Sequence, residues 1–391
     1  MFAASRDPHG RRRRRLVASV LVGAFLLALP ACTAQTPPSG GIASPEARPT
    51  PDALEVAREA VAAMSVRDRI ASLLVFHLPG TDPQALGAFV DEVRPGGLIF
   101  MGDNIGDSPD AVAALAGAVQ DPSLPLLLAV DQEGGDVNRL PGDSWPAGEQ
   151  LHGLDGTVVG NAFAARADLV VRCGLNTNFG IVADVTADPA SFIFSRSLGT
   201  TPDESSAHVT AAVEAESAAS VLSTLKHFPG HGAAPGDSHS SVPHTDMSLD
   251  TWRTTDALPF AAGVDAGAPM VMFGHLVYSS VDDVPATMST RWHEILRDDL
   301  GFDGIMISDD MVMLENSGDP AYANRLDNAI RTLDAGMTML LYVADGQQPV
   351  DPGELIDGLE AAVSDGRIAP ETIDAAATIV MAQRLALAAD A

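Results

Sequence analysis

The chain has 391 residues, 46% of them hydrophobic and 19% charged, with a formal net charge of −29. That size suits one large globular domain or two small ones. The acidity excludes a nucleic-acid binder, which needs clustered Lys and Arg against phosphates, and it favours a soluble monomer with a neutral or sparsely charged partner.

At the N-terminus, Arg11 to Arg15 form a basic run, and an apolar stretch over 16–31 follows. The stretch is too short and one-sided for a membrane span and reads as a signal peptide over 1–31. It ends in Leu29-Pro30-Ala31-Cys32, which resembles a bacterial lipobox. The resemblance implies acylation of Cys32, with the mature chain held by lipid at the extracytoplasmic face of the cell membrane. An ordinary signal peptide with a chance cysteine is the plainer alternative. Removing residues 1–31 takes away six Arg and one Asp and leaves a charge of −34. With Cys32 lipidated, Cys173 has no partner for a disulfide. In VVRCGLN, between a helix and a strand, it reads as a buried, inert thiol. Residues 32–52 are rich in Pro, Ser, Thr and Gly and read as a flexible tether, so the folded domain is expected over 53–391.

From there, short apolar runs alternate with amphipathic stretches. Strands are predicted at 72–77, 97–101, 126–131, 178–184, 222–227, 270–275, 304–309 and 338–343. Each is nearly continuous in apolar residues, the pattern of strands buried on both faces. Helices are predicted between them, among them 83–93, 204–219 and 321–335. Eight such units predict a single α/β domain, a (β/α)8 TIM-type barrel. A doubly wound open sheet is the alternative, weakened by the lack of a GxGxxG or Walker A pattern after the first strand.

Polar residues gather at the strand ends. Strand 3 ends in Asp131-Gln132-Glu133, strand 5 in Lys226-His227, strand 6 in His275 and strand 7 in Ser308-Asp309-Asp310. C-terminal strand ends form the active-site face of a barrel. The segment Lys226-His227-Phe228-Pro229-Gly230-His231-Gly232 then runs through a loop to Asp237-Ser238-His239. There Asp237 can hydrogen-bond one imidazole nitrogen of His239 and fix its tautomer, freeing the other for proton transfer. A carboxylate at the end of strand 7, close to cations, stays ionised and can attack an electrophilic carbon. Periodicity does not choose between Asp309 and Asp310. One group that protonates and one that attacks make a glycosidase design.

DQEGG at Asp131–Gly135, Arg139, RSLG at Arg196–Gly199, KHFPGHG, DSH and SDDMVM at Ser308–Met313 occur in this order. With the spacing from Lys226 to His239, they make the stretch from about 66 to 345 resemble glycoside hydrolase family 3. The likeness is to its bacterial β-N-acetylglucosaminidase (β-hexosaminidase) branch. The resemblance implies Asp309 as nucleophile, His239 as acid/base and Asp237 as its dyad partner. It implies Asp131, Arg139, Arg196, Lys226 and His227 as holders of the N-acetylglucosamine ring. It further implies a retaining double displacement on peptidoglycan or chitin-derived saccharides, without cofactor or metal. The chain departs from the family pattern at Asp103, before Asn104, and at Asp136, after Gly135, where the family commonly has Arg. These positions bear on what lies beyond the bound sugar.

Other readings of these residues are weaker. A metal-dependent hydrolase built on His227, His231, His239, His244 and His275 lacks HxH or HExxH spacing, and Lys226 would repel the cation. His231 is expected to be satisfied within its own loop, Asp310 to cap a helix, and Glu133 to accept hydrogen bonds from loop amides. Trp145, Trp252 and Trp292 carry no sugar-stacking assignment. An inactive sugar-binding protein would have lost Asp309, Asp237 or His239, and all are present. A β-glucosidase usually completes its site from a second domain. A phosphorylase is a further alternative, because a neutral imidazole does not repel incoming phosphate as a second carboxylate would.

Overall fold

The computed structural model describes residues 51–344 and 349–390. The signal-peptide, lipidation and tether readings at 1–50, Cys32 included, lie outside the described residues.

Eight strands close into one parallel barrel. They are β1 (Leu74–Phe76), β2 (Gly97–Phe100), β3 (Leu127–Val130), β4 (Thr177–Val182), β5 (Leu222–Phe228), β6 (Met270–Phe273), β7 (Ile305–Asp310) and β8 (Met339–Tyr342). They run round the barrel in chain order, and β8 closes on β1 with Leu74 beside Leu340 and Phe76 beside Tyr342. That closure removes the open-sheet alternative. Each strand coincides with a predicted run to within two residues at either end. Leu128, Ile181, Leu225 and Ile307 are fully buried, and each contributes about 1.5–3 kcal/mol by leaving water.

The helices outside start by a repeated device. Asp82, Ser108, Thr201 and Asp351 each precede a proline, and their side chains accept from the backbone N–H of Gln84, Ala111, Glu204 and Glu354. The cap satisfies an amide with no partner inside the helix, and proline tolerates the first turn because its missing N–H would be unpaired there anyway. The helix predicted at 321–335 splits for the same reason. Asp319 caps a short 3-10 turn, Pro320–Tyr322, and Asn324 caps a separate helix, Arg325–Asp334. Cys173 ends the helix Gly156–Arg172, fully buried, and burial pushes its thiol up to about 11.

One buried acid sits between helix and barrel. Glu216, on the helix Pro202–Ala218, accepts a hydrogen bond from Asn178 Nδ2 of β4 at 2.6 Å. Burial raises its carboxyl to about 8, so it is protonated at neutral pH. Its unfolded value is near 4.5. The stability linked to Glu216 is therefore complete below about 4.5 and is lost as pH rises through about 8. Glu216→Gln is expected to melt above the wild type at pH 8–9 and to flatten the fall in Tm between pH 5 and 8. An unchanged slope in the variant would overturn this assignment.

Candidate active site

Strands β2, β3, β5, β6, β7 and β8 and the loops beyond them line a cavity of about 520 Å³. Asp131, Arg139, Arg196, Lys226, His227, His239 and Asp309 all border it, and Asp237 stands behind His239. The residues singled out in the sequence thus meet in one place.

One wall is cationic and tightly paired. Glu133 is buried and accepts from Arg196 through both oxygens, at 2.9 and 2.7 Å, with Lys226 Nζ at 2.6 Å. Lys226 also donates to Asp131 at 2.9 Å. Burial alone would raise the Glu133 carboxyl, but the two cations outweigh it and hold it down to about 2. Burial would likewise lower Lys226, yet Asp131 and Glu133 raise it. Glu133 therefore pairs with side chains, not with the loop amides predicted for it. The ribbon Gln132–Gly134 alternates its faces, so Glu133 points into the barrel and Gln132 turns toward its own loop. Gly134 has a φ of 82°, and a side chain there would meet the Arg166 guanidinium at 2.3 Å. Only glycine fits both constraints.

Two imidazoles are oriented by acids. Asp184, buried just beyond β4, accepts from the backbone N–H groups of His227 and His231 at 3.2 and 2.6 Å, and from His227 Nδ1 at 2.8 Å. Burial opposes its charge, but His227 and His231 keep its carboxyl below the usual range. With Nδ1 committed to Asp184, the other ring nitrogen of His227 is left for the cavity it borders. The sequence reading missed Asp184. It closes a predicted strand just as Asp131 and Asp309 do, and that signal was available.

His239 donates from Nδ1 to Asp237 Oδ1 at 2.8 Å, and its backbone N–H binds the same oxygen at 2.9 Å. Burial raises Asp237 less than these bonds lower it, so it stays ionised. Nε2 of His239 is then free at an exposed position. Phe192, also unforeseen, packs its ring 5.6 Å from His239 and 5.8 Å from the Arg196 guanidinium. The root of this loop rests on the core: Trp252 Nε1 donates to the Pro229 carbonyl at 2.7 Å and the Tyr278 hydroxyl to that of Gly230 at 2.5 Å. His231 Nε2 meets Ser238 Oγ within the loop at 3.1 Å, but its buried Nδ1 has no partner among the described residues, so the satisfaction predicted for this ring is only half met.

The two candidate carboxylates on β7 have different surroundings. Asp310 accepts from the backbone N–H of Val312 and of Val343, at 3.1 and 2.9 Å, and so holds the first amide of the helix Val312–Asn316 from one residue before its N-cap, Met311. Asp309 faces His227, His275 and Lys226. Burial raises its carboxyl, but these groups and the Asp310 N–H bring it below the usual range. It is an ionised carboxylate in a low-dielectric pocket, which is what attack on carbon requires. The departures at Asp103 and Asp136 are held locally: Asp103 lies 2.8 Å from His77 Nε2, and Asp136 accepts from Ser195 Oγ at 2.7 Å on the cavity rim.

A closed parallel barrel with these groups gathered at its C-terminal strand ends defines a (β/α)8-barrel enzyme. The family described as "Glycosyl hydrolase family 3 N terminal domain" matches residues 65–382, and the chain belongs to it. It is similar to beta-hexosaminidase A of Pseudoalteromonas piscicida, 31% identical over 67% of this chain and 48% of that protein. It is also similar to a beta-hexosaminidase of Pseudomonas aeruginosa, 36% identical over 64% of this chain and 75% of that one. Among solved structures, a glycoside hydrolase family 3 beta-N-acetylglucosaminidase from Paenibacillus sp. str. FPU-7 superposes with a TM-score of 0.78 at 27% identity, covering 84% of this chain and 64% of that one. The chain thus spans about half the length of the first relative and about two thirds of the solved structure.

Proposed function

We propose that the protein hydrolyses terminal, non-reducing β-linked N-acetylhexosamine residues, N-acetylglucosamine above all, by a retaining double displacement. The observation that carries this is the single cavity bordered by ionised Asp309 and by His239 in its dyad with Asp237. The names of the relatives support the sugar. In the first step His239 Nε2 gives its proton to the glycosidic oxygen, Asp309 attacks the anomeric carbon, and the carbon–oxygen bond to the leaving group breaks. In the second, His239 takes a proton from water, the water oxygen bonds the anomeric carbon, and Asp309 is released. Asp131, Arg139, Arg196, Lys226 and His227 hold the sugar, where charged hydrogen bonds to hydroxyls discriminate strongly against sugars lacking them. Substrates would come from peptidoglycan or chitin. In this reading the mature chain is a monomer that works from the extracytoplasmic face of the cell membrane through lipid on Cys32.

The test is a panel of chromogenic glycosides. Release from the N-acetylglucosaminide and little from the glucoside is expected. Equal release from both, or none from either, would sink the reading. Read in kcat/KM, which reports the first step and not the second, His239→Ala is expected to lose about 10²–10⁴-fold on a substrate with a poor alcohol leaving group. The loss is expected to be far smaller where an activated phenol departs unprotonated. Equal losses on both would remove His239 as the acid.

A further inference from the structure

Arg196 and Lys226 owe their places to their own ion pairs with Glu133. Arg139, the third cation on the wall, does not. Its Nε is buried with no hydrogen-bond partner among the described residues. Something other than its side chain must set where its guanidinium points.

That something is the backbone, and the backbone is held by Gln132. Its Oε1 accepts from the N–H groups of Arg139 and Leu140 at 3.0 and 2.8 Å. Its Nε2 donates to Asn138 Oδ1 and Asp143 Oδ2, both at 2.8 Å. Asp143 Oδ2 accepts in turn from Arg166 Nε at 2.8 Å, and both of these side chains are almost wholly buried. An ionised carboxylate can face only the NH2 of the amide, so the Arg166–Asp143 pair fixes which way Gln132 is flipped. On the main-chain side, Asn178 clamps the same residue. Its Oδ1 accepts from the Gln132 N–H at 3.0 Å and its Nδ2 donates to the Gln132 carbonyl at 3.1 Å. Every hydrogen-bonding group of Gln132 is used, and none of them reaches the cavity.

We infer that Gln132 is a positioning residue: it holds the turn from 132 to 140 closed so that Arg139 presents a free guanidinium to the bound sugar. The inference rests on the proposed sugar-binding role of Arg139. A buried, fully satisfied network of this kind has one geometry, and loss of one member lets the turn relax. Misplacing a substrate-binding group by about 1 Å costs on the order of 10²-fold in rate.

The experiment is a double-mutant cycle of Gln132→Met and Arg139→Ala. It is read in kcat/KM on the best glycoside and, independently of turnover, in affinity for N-acetylglucosamine. Gln132→Met is expected to lower kcat/KM about 10²-fold. Added to Arg139→Ala, it is expected to cost almost nothing more, because the group it positions is already gone. Losses that multiply in the double variant, or an unchanged kcat/KM in Gln132→Met, would overturn the inference and leave Gln132 a stability residue only. Should Gln132→Met fail to fold, Gln132→Glu carries the same cycle: it has the same size but turns an oxygen toward Asp143. A wild type that binds N-acetylglucosamine but hydrolyses no glycoside would defeat the hydrolase reading and leave the cycle readable by affinity.

Discussion

Replacing Asp309 by Ala is expected to lower kcat by about 10⁴-fold or more, the scale seen when a covalent nucleophile is removed. The reason lies in the surroundings of the carboxylate. Burial would neutralise it, but His227, His275, the Asp310 N–H and Lys226 keep it charged. Alanine leaves those groups facing an empty place. A small anion such as azide can enter and attack the anomeric carbon of an activated aryl glycoside, giving the α-glycosyl azide. Rescue with that stereochemistry identifies Asp309 as the nucleophile. Asp310→Asn is the control. Its carboxylate is committed to the N–H groups of Val312 and Val343, so stability falls and azide restores nothing. Full turnover in Asp309→Ala would overturn the assignment.

The second large effect is on stability. Glu133→Gln is expected to cost about 3–5 kcal/mol of unfolding free energy at pH 7, because it removes the bidentate partner of the largely buried Arg196 and leaves buried Lys226 with Asp131 alone. Linkage gives the pH course. The Glu133 carboxyl lies at about 2 in the folded protein against 4.5 as a free group, a difference on the order of 3 kcal/mol. Because the folded value is the lower one, this stability is present above about 4.5 and is lost as pH falls through about 2. Urea unfolding of wild type and variant is expected to diverge at pH 5–7 and to converge toward pH 2–3. A constant gap across that range would show that the cost is packing, not charge.

Much of the fold was readable because buried parallel strands are apolar on both faces, so each run announces itself without periodicity. The site was readable where a polar residue interrupts such a run at its end, as at Asp131, Lys226 and Asp309. Asp184 met the same criterion and was passed over because no motif accompanied it. The partners were not readable. Glu133 pairs with Arg196 and Lys226, and Gln132 with Asp143 and Asn178. These pairings exist only once the barrel brings distant strand ends together. Nor could alternation along the short ribbon be phased from sequence, so the amide-accepting role fell to Gln132, one residue from where it was expected. The different surroundings of Asp309 and Asp310 likewise show only in the fold, where the N–H of Val343, just past β8, engages Asp310.

The aromatic packing under the loop that carries His239 has an optical consequence. Trp252 and Trp292 are fully buried with ring centroids 4.8 Å apart, and Phe228 lies edge-on to both, whereas Trp145 is about half exposed. Intrinsic fluorescence therefore divides in two. A blue, quencher-resistant component reports on the floor beneath Pro229 and Gly230, and a red, acrylamide-sensitive one reports on the exposed surface at Trp145. Two indoles in edge-to-face contact also give exciton-coupled bands in the near-ultraviolet circular dichroism. The floor beneath the loop that carries His239 can thus be followed without label, apart from the exposed surface, as a sugar enters the cavity.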